Sequence, residues 1–171
     1  MKSLTHFLEK YASWKSILIL IGLFIFVNAF VFPMLLDNPN NIPLDLQFSY
    51  SSEKAYQLLS NFSAADLQKY KIIELTVDVV YPIIYTLLLS FLIFKINSNA
   101  KLALFPFLIL IADYLENTGI VILISNFPKE LNSIVSITSL LTSLKWILVI
   151  SCVLLIIFSA VRRLFMKKQQ N

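Results

Sequence analysis

The chain has 171 residues, of which 58% are hydrophobic and only 14% charged, and its mean hydropathy is +0.78. Soluble globular domains carry about 25% charged residues, so this composition excludes the ordinary water-soluble classes and points to an integral membrane protein. The net charge of +4 implies no nucleic-acid partner, because the basic residues sit where a membrane protein places them against anionic lipid. With His6 as the sole histidine and Cys152 as the sole cysteine, a histidine-based metal site, a nucleophile–histidine pair and a disulfide framework within one chain are excluded. Cys152 lies inside an apolar run and reads as a packing residue.

At the N-terminus, Leu4, Phe7, Leu8, Tyr11 and Trp14 recur at helical spacing between Lys2, Glu9, Lys10 and Lys15, which predicts a short amphipathic helix. The adjoining apolar run and the belt aromatics Tyr11 and Trp14 favour a place in the membrane interface over docking to a partner. Ile17 to Leu36, interrupted only by Gly22, Asn28 and Pro33, is long enough to cross a hydrocarbon core of ~30 Å. The run exceeds a usual signal-peptide core and no A-x-A site follows, so a retained first span is expected rather than a cleaved leader.

Residues 37–74 form an outer loop that opens on N-P-N-N-I-P and then carries helix signals. Ser51 or Ser52 can cap a helix reaching Leu59, and Ser63 followed by Asp66 has the spacing of a capping box with Asp in place of Glu. Neither glycine nor proline falls between Ser63 and Tyr81, so a second outer helix should run straight into a second span at 75–94. Tyr50, Tyr56, Leu58, Leu59, Phe62, Leu67 and Tyr70 give the outer helices an apolar side, expected to rest on the membrane interface in preference to covering a cavity. Spans at 102–125 and 137–158 complete one transmembrane domain. The fold class is thus an all-α integral membrane four-helix bundle with short outer helices between spans one and two. Lys2, Lys10 and Lys15, then Lys95 and Lys101, then Arg162, Arg163, Lys167 and Lys168 assign their segments and both termini to the cytoplasm. The other connections, with Asp37, Asp45, Glu53, Asp66 and Glu130 and fewer lysines, should lie outside.

The second span opens E-L-T-V-D-V-V-Y-P-I-I-Y, which lines Glu74, Asp78, Tyr81 and Tyr85 along one face in steps of four and three. Pro82 cannot donate to the Asp78 carbonyl, so an extra acceptor is left beside that face. In the third span, D-Y-L-E-N puts Asp113, Glu116 and Asn117 on one side, and the cost of charge in lipid turns that side inward. At a rise of ~1.5 Å per residue, Asn28, Glu116 and Lys145 lie about 12 to 13 Å below the outer ends of their spans, with Tyr81 and Tyr85 at about 9 to 15 Å. These nine residues, Asn28, Glu74, Asp78, Tyr81, Tyr85, Asp113, Glu116, Asn117 and Lys145, form the candidate ligand site. Lys145 should pair with Glu116 or Asp113 rather than snorkel outward. Ser139 and Ser143 form an S-x-x-x-S pair that allows close helix approach or hydrogen bonding.

Two readings of the cluster stay open. Ion pairs and amides can simply fix helix register, or the carboxylates can serve an outward-facing pocket as cation binders, proton acceptors or a general acid and base. No loop carries a metal-ligand pattern, so neither a metal nor another cofactor is expected. Ser143 and Lys145, two residues apart, point to different helix faces and make no serine–lysine nucleophile.

The pairing of D-V-V-Y-P-I-I-Y with D-Y-L-E-N in a four-span chain of this length resembles a group of uncharacterised bacterial membrane proteins over nearly the whole chain. That resemblance implies a bacterial plasma-membrane location and supplies no activity. The acids around a proline-containing second span and the basic C-terminal tail are also similar, in topology, to the sterol-isomerase and sigma-2-receptor (EXPERA-like) family. This second resemblance implies an acid-lined cavity for a sterol-like ligand, mapping onto Glu74, Asp78 and Glu116; the isomerase's intramembrane histidine has no counterpart here. The expected function is an intramembrane acidic pocket for a lipid-like or cationic small molecule, in contact with membrane lipid. A lipid-modifying enzyme, an oligomeric transporter or channel subunit and an accessory scaffold are the alternatives.

Overall fold

The computed structural model describes residues 2–35 and 41–168, and all regular structure within them is helical. Leu36, the predicted end of the first span, and Asp37, Asn38, Pro39 and Asn40 of the loop lie outside the described residues, as do the side chains of Lys2, Leu4, Lys167 and Lys168. Among the described residues the α-helices are α1 (Lys2–Tyr11), α2 (Trp14–Phe26), α3 (Phe32–Leu35), α4 (Ser52–Ser60), α5 (Ala64–Asn97), α6 (Phe107–Asn126) and α7 (Asn132–Lys168). Four stretches are long and apolar enough to cross a membrane: Trp14–Met34, Ala64–Asn97, Leu102–Asn126 and Asn132–Met166. They contain the predicted spans at 75–94, 102–125 and 137–158 and overlap the one at 17–36 as far as Met34. Two of them overrun the predicted limits, because α5 has 34 residues and α7 has 37, or about 50 and 55 Å of helix.

Local chemistry accounts for each boundary. Pro33 lacks an N–H and its ring would crowd the carbonyl of Ala29 in a regular helix, and a π-helical turn at Val27–Val31 precedes it. There the Phe32 N–H bonds to the Val27 carbonyl, five residues back. Ser51 caps α4 by accepting the Lys54 N–H at 3.2 Å. At the start of α5, Ser63 Oγ accepts the Asp66 N–H at 3.1 Å and donates to Asp66 Oδ2 at 2.9 Å. Aspartate is one methylene shorter than the glutamate of a capping box, and the motif closes through the hydroxyl. The helix then runs unbroken through Pro82 to Asn97, as the lack of other breakers predicts, and ends at Ser98 with a left-handed φ of 53°. Pro106 sits at the N-cap of α6, so the predicted 102–125 span divides into a 3-10 turn at Leu102–Leu104 and a helix from Phe107.

Helix α5 packs against α6 and α7, α6 packs against α7, and α2 packs against α5. Apolar cores close the two ends. At one end Leu44, Tyr50, Leu58, Leu59, Phe62 and Tyr70 are buried together with Ile120, Leu123 and Ile124 of α6 and Val135 of α7. The apolar side of the outer helices therefore covers the helix ends, and the expectation that it rests on the membrane interface is corrected. Full burial of a Leu or Phe contributes about 1.5–3 kcal/mol, and half-burial at an interface leaves part of that ungained. Side chains of α7 satisfy the covering backbone: the Tyr50 N–H donates to Ser139 Oγ at 2.9 Å, and Ser143 Oγ donates to the Phe48 carbonyl at 2.9 Å. Burial also pushes the Tyr50 phenol above the usual tyrosine range, so it stays neutral beside Thr142. At the opposite end Leu8, Ala12 and Ile17 pack with Phe91, Ile93, Ala103, Ile109 and Cys152. Leu8 thus docks α1 onto the body of the molecule while Phe7 and Tyr11 remain exposed.

At Gly119, helix α6 lies close against α7. A Cβ built there would collide with Oγ1 and Cγ2 of Thr138, which is buried and held by a 2.8 Å bond from its hydroxyl to the Ile134 carbonyl. Around Gly22, by contrast, there is open space. Gly119→Ala should lower the melting temperature in detergent by an overpacking cost of about 1–3 kcal/mol, whereas Gly22→Ala should leave it unchanged or raise it. Adding Thr138→Ala to Gly119→Ala should recover much of the loss, read by circular-dichroism melting.

Candidate functional site

Pro82 is the point from which the site is assembled. Its missing N–H leaves the Asp78 carbonyl without its helical donor, and Asn117 Nδ2 of α6 fills the vacancy at 2.9 Å. One residue on, the Tyr114 hydroxyl donates to the Val79 carbonyl at 2.7 Å. These two bonds clamp α6 to α5 at the height of the proline and leave Asp113 and Glu116 on buried faces. Lys145 of α7 meets both acids: Nζ lies 2.5 Å from Glu116 Oε2 and donates to Asp113 Oδ1 at 3.5 Å. The Tyr85 hydroxyl donates to the other Asp113 oxygen, so α5, α6 and α7 are joined in a single layer. Glu116 is 0% exposed, Asp113 5% and Lys145 9%, which accords with the expectation that the lysine pairs inward rather than snorkels.

Beside this layer lies a cavity of about 590 Å³, within the range of small-molecule sites. Of the nine predicted residues, Asn28, Asp78, Tyr81, Tyr85, Asp113, Asn117 and Lys145 line it. Glu74 and Glu116 do not; they are buried behind the wall. The cavity's lining changes along the helices: Asp78 on α5 and Lys145 on α7, with Asp45 and Asp113 among the polar lining, give way farther along the same two helices to Leu88, Leu89, Val149 and Val153. The first span supplies a wall of Phe24, Asn28, Phe32 and Pro33. Asn28 Nδ2 donates to the Phe24 carbonyl and to the Tyr81 hydroxyl, both at 2.8 Å, and Tyr81 is stacked on Phe24 at 5.6 Å and edge-on to Phe32 at 5.2 Å.

Three polar lining residues escaped the sequence reading. Asp45 comes from the 41–50 segment, where its side chain accepts the Tyr70 hydroxyl at 2.8 Å and its carbonyl accepts Trp146 Nε1 at 3.3 Å. Tyr70 had been recognised only as part of an apolar side, yet its hydroxyl also accepts the Leu44 N–H at 2.9 Å and pins the segment over the cavity. Trp146 follows Lys145 directly, with the ammonium 5.9 Å from its ring centroid. The signals available were a lone acid within I-P-L-D-L-Q-F and a K-W pair inside an apolar helix, neither of which specifies a contact.

Glu74 is the anomaly of the site. It is 2% exposed, and no described residue gives a hydrogen bond to either of its carboxylate oxygens. Among the described residues no three histidine, cysteine or acidic side chains converge closely enough to hold a metal ion. No match to this chain is found among protein-family models, curated proteins or solved structures.

The shared lysine makes a quantitative prediction. Lys145→Met, Glu116→Gln and Asp113→Asn should each destabilise the protein, the first by about 3–5 kcal/mol because it strands two buried acids. Lys145→Met combined with Glu116→Gln should cost less than the sum of the singles, with a coupling of about 0.5–3 kcal/mol in thermal or denaturant unfolding. Strictly additive losses would remove the ion pair as the link between α6 and α7.

Proposed function

We propose that this chain crosses the bacterial plasma membrane four times as a helix bundle, with both termini in the cytoplasm, and that its cavity is an outward-facing intramembrane pocket for a lipid-like cationic small molecule. The observation that carries the reading is the lining of one continuous space, which joins the carboxylates of Asp45, Asp78 and Asp113 to leucine and valine side chains farther along α5 and α7. An ammonium head satisfies the first and an apolar tail the second. The Tyr81 and Trp146 rings beside the acids add faces on which a cation is held without a compact coordination shell.

The orientation is supported by where the basic residues gather. Lys95 lies in the last turn of α5, its carbonyl accepts Arg163 Nη1 of α7 at 3.3 Å, and α1 with Lys10 packs at the same end through Leu8. Such a cluster belongs against anionic cytoplasmic lipid. The covering segment of residues 41–63 then faces outward, and the acidic end of the cavity lies under it.

Two measurements test this reading. In a Trp14→Phe background, which leaves Trp146 as the only fluorophore of its kind, octyltrimethylammonium should produce a saturable fluorescence change. The uncharged analogue with a tert-butyl head should bind about tenfold more weakly or worse, and Asp78→Asn should weaken the cation by a similar factor. Equal binding of the two probes would contradict a cation site. In intact cells, Ser49→Cys should react with a membrane-impermeant thiol reagent and Ser98→Cys should not.

A further inference from the structure

Carboxylates outnumber cations around the cavity. Lys145 is already shared between Asp113 and Glu116. Asp45, Glu74 and Asp78 have no cationic partner among the described residues, and no described residue donates a hydrogen bond to the side chain of Glu74 or Asp78. Glu74 and Asp78 are one helical turn apart on the same face of α5. Of the titratable groups that face them, the acids deepen the imbalance, the neutral phenols leave it unchanged and one group opposes it. Asp45 approaches from the covering segment, Asp113 and Glu116 from α6, Tyr70 and Tyr81 from α5 itself, and only Lys145 from α7 is positive. The wall contributed by the first span, Phe24, Asn28, Phe32 and Pro33, carries no charge.

From this charge balance and the unpartnered Glu74 we infer that the empty pocket holds a proton on the Glu74–Asp78 pair, and that an organic cation entering the cavity displaces it. The inference rests on the cation-binding reading above and adds its coupling. The step is an exchange: one O–H bond of the carboxyl pair breaks, the proton leaves to water, and the positive charge of the ligand replaces it. The charge of the pocket does not change, so the exchange avoids the cost of adding net charge to a site buried from water. Asp78 lines the cavity and meets the ligand, whereas Glu74 lies behind it as a positioning residue that shares the proton. Protons and cation then compete for one site, and affinity rises with pH.

The experiment uses the full chain in detergent and octyltrimethylammonium, which has no proton of its own to release. Isothermal titration in two buffers of different ionisation enthalpy should report about one proton released per cation bound, and affinity should rise with pH, by up to about tenfold per pH unit wherever the unliganded pair holds its proton. Glu74→Gln, an isostere of the protonated acid, should keep its fold by circular dichroism yet release fewer protons with a flatter pH profile. Glu74→Gln with Asp78→Asn should release none. Saturable binding with no buffer dependence and a flat pH profile overturns the proton exchange and leaves the cation pocket standing. Absence of saturable binding at every pH overturns the pocket and the exchange together.

Discussion

An ammonium within the apolar part of a helix assembly must be met by acids, and the meeting of Lys145 with Glu116 and Asp113 organises the rest of this molecule. Taking the groups out of water costs several kcal/mol per ion, which is recovered only where the geometry holds the partners together. Three features supply that geometry. Gly119 lets α7 come close to α6, the Tyr85 hydroxyl fixes Asp113 from α5, and Asn117 ties α6 to the carbonyl that Pro82 orphans. The proline therefore contributes to the site through the hydrogen bond it removes.

The cavity follows from the same layer. Polar side chains that must keep their partners cannot be rearranged to fill space as leucines would, and the first span contacts the rest mainly through α5. Near Ile17 that span joins a closed apolar core, and toward Asn28 it forms the wall of an open one. The π-turn at Val27–Val31 directs Asn28 to Tyr81, and the aromatic contacts of Tyr81 hold it upright beside Asp78. Over the acidic end, Tyr70 and Trp146 together hold Asp45 in place from two different helices.

Much of this was legible before any coordinates. The continuous helix through Pro82 follows from the lack of other breakers, and the pairing of Lys145 follows from a shared depth on separate helices. The acceptor left at Asp78 was expected from Pro82, although its donor, Asn117, had been read only as a member of the cluster. What escaped was long-range. Asp45 is positioned by residues 25 and 101 places away, and a loop has no periodicity to announce such contacts. Glu74 and Glu116 share helix faces with cavity residues, but helical phase cannot distinguish the lining of a void from the layer behind it. The outer helices showed their apolar side plainly, and composition alone does not tell protein from lipid as the surface that covers it.

The central claim is that the polarised cavity is built to hold a cation with an apolar tail. A structure of the protein reconstituted in lipid nanodiscs with octyltrimethylammonium tests it most directly. The account predicts elongated density in the cavity, with the head within about 4 Å of the Asp78 and Asp113 carboxylates and the tail along Leu88 and Val153. A cavity closed by Phe32 and Trp146, with Lys145 still bridging Glu116 and Asp113 and no density beside the acids, would contradict it and leave the charged layer a purely structural brace.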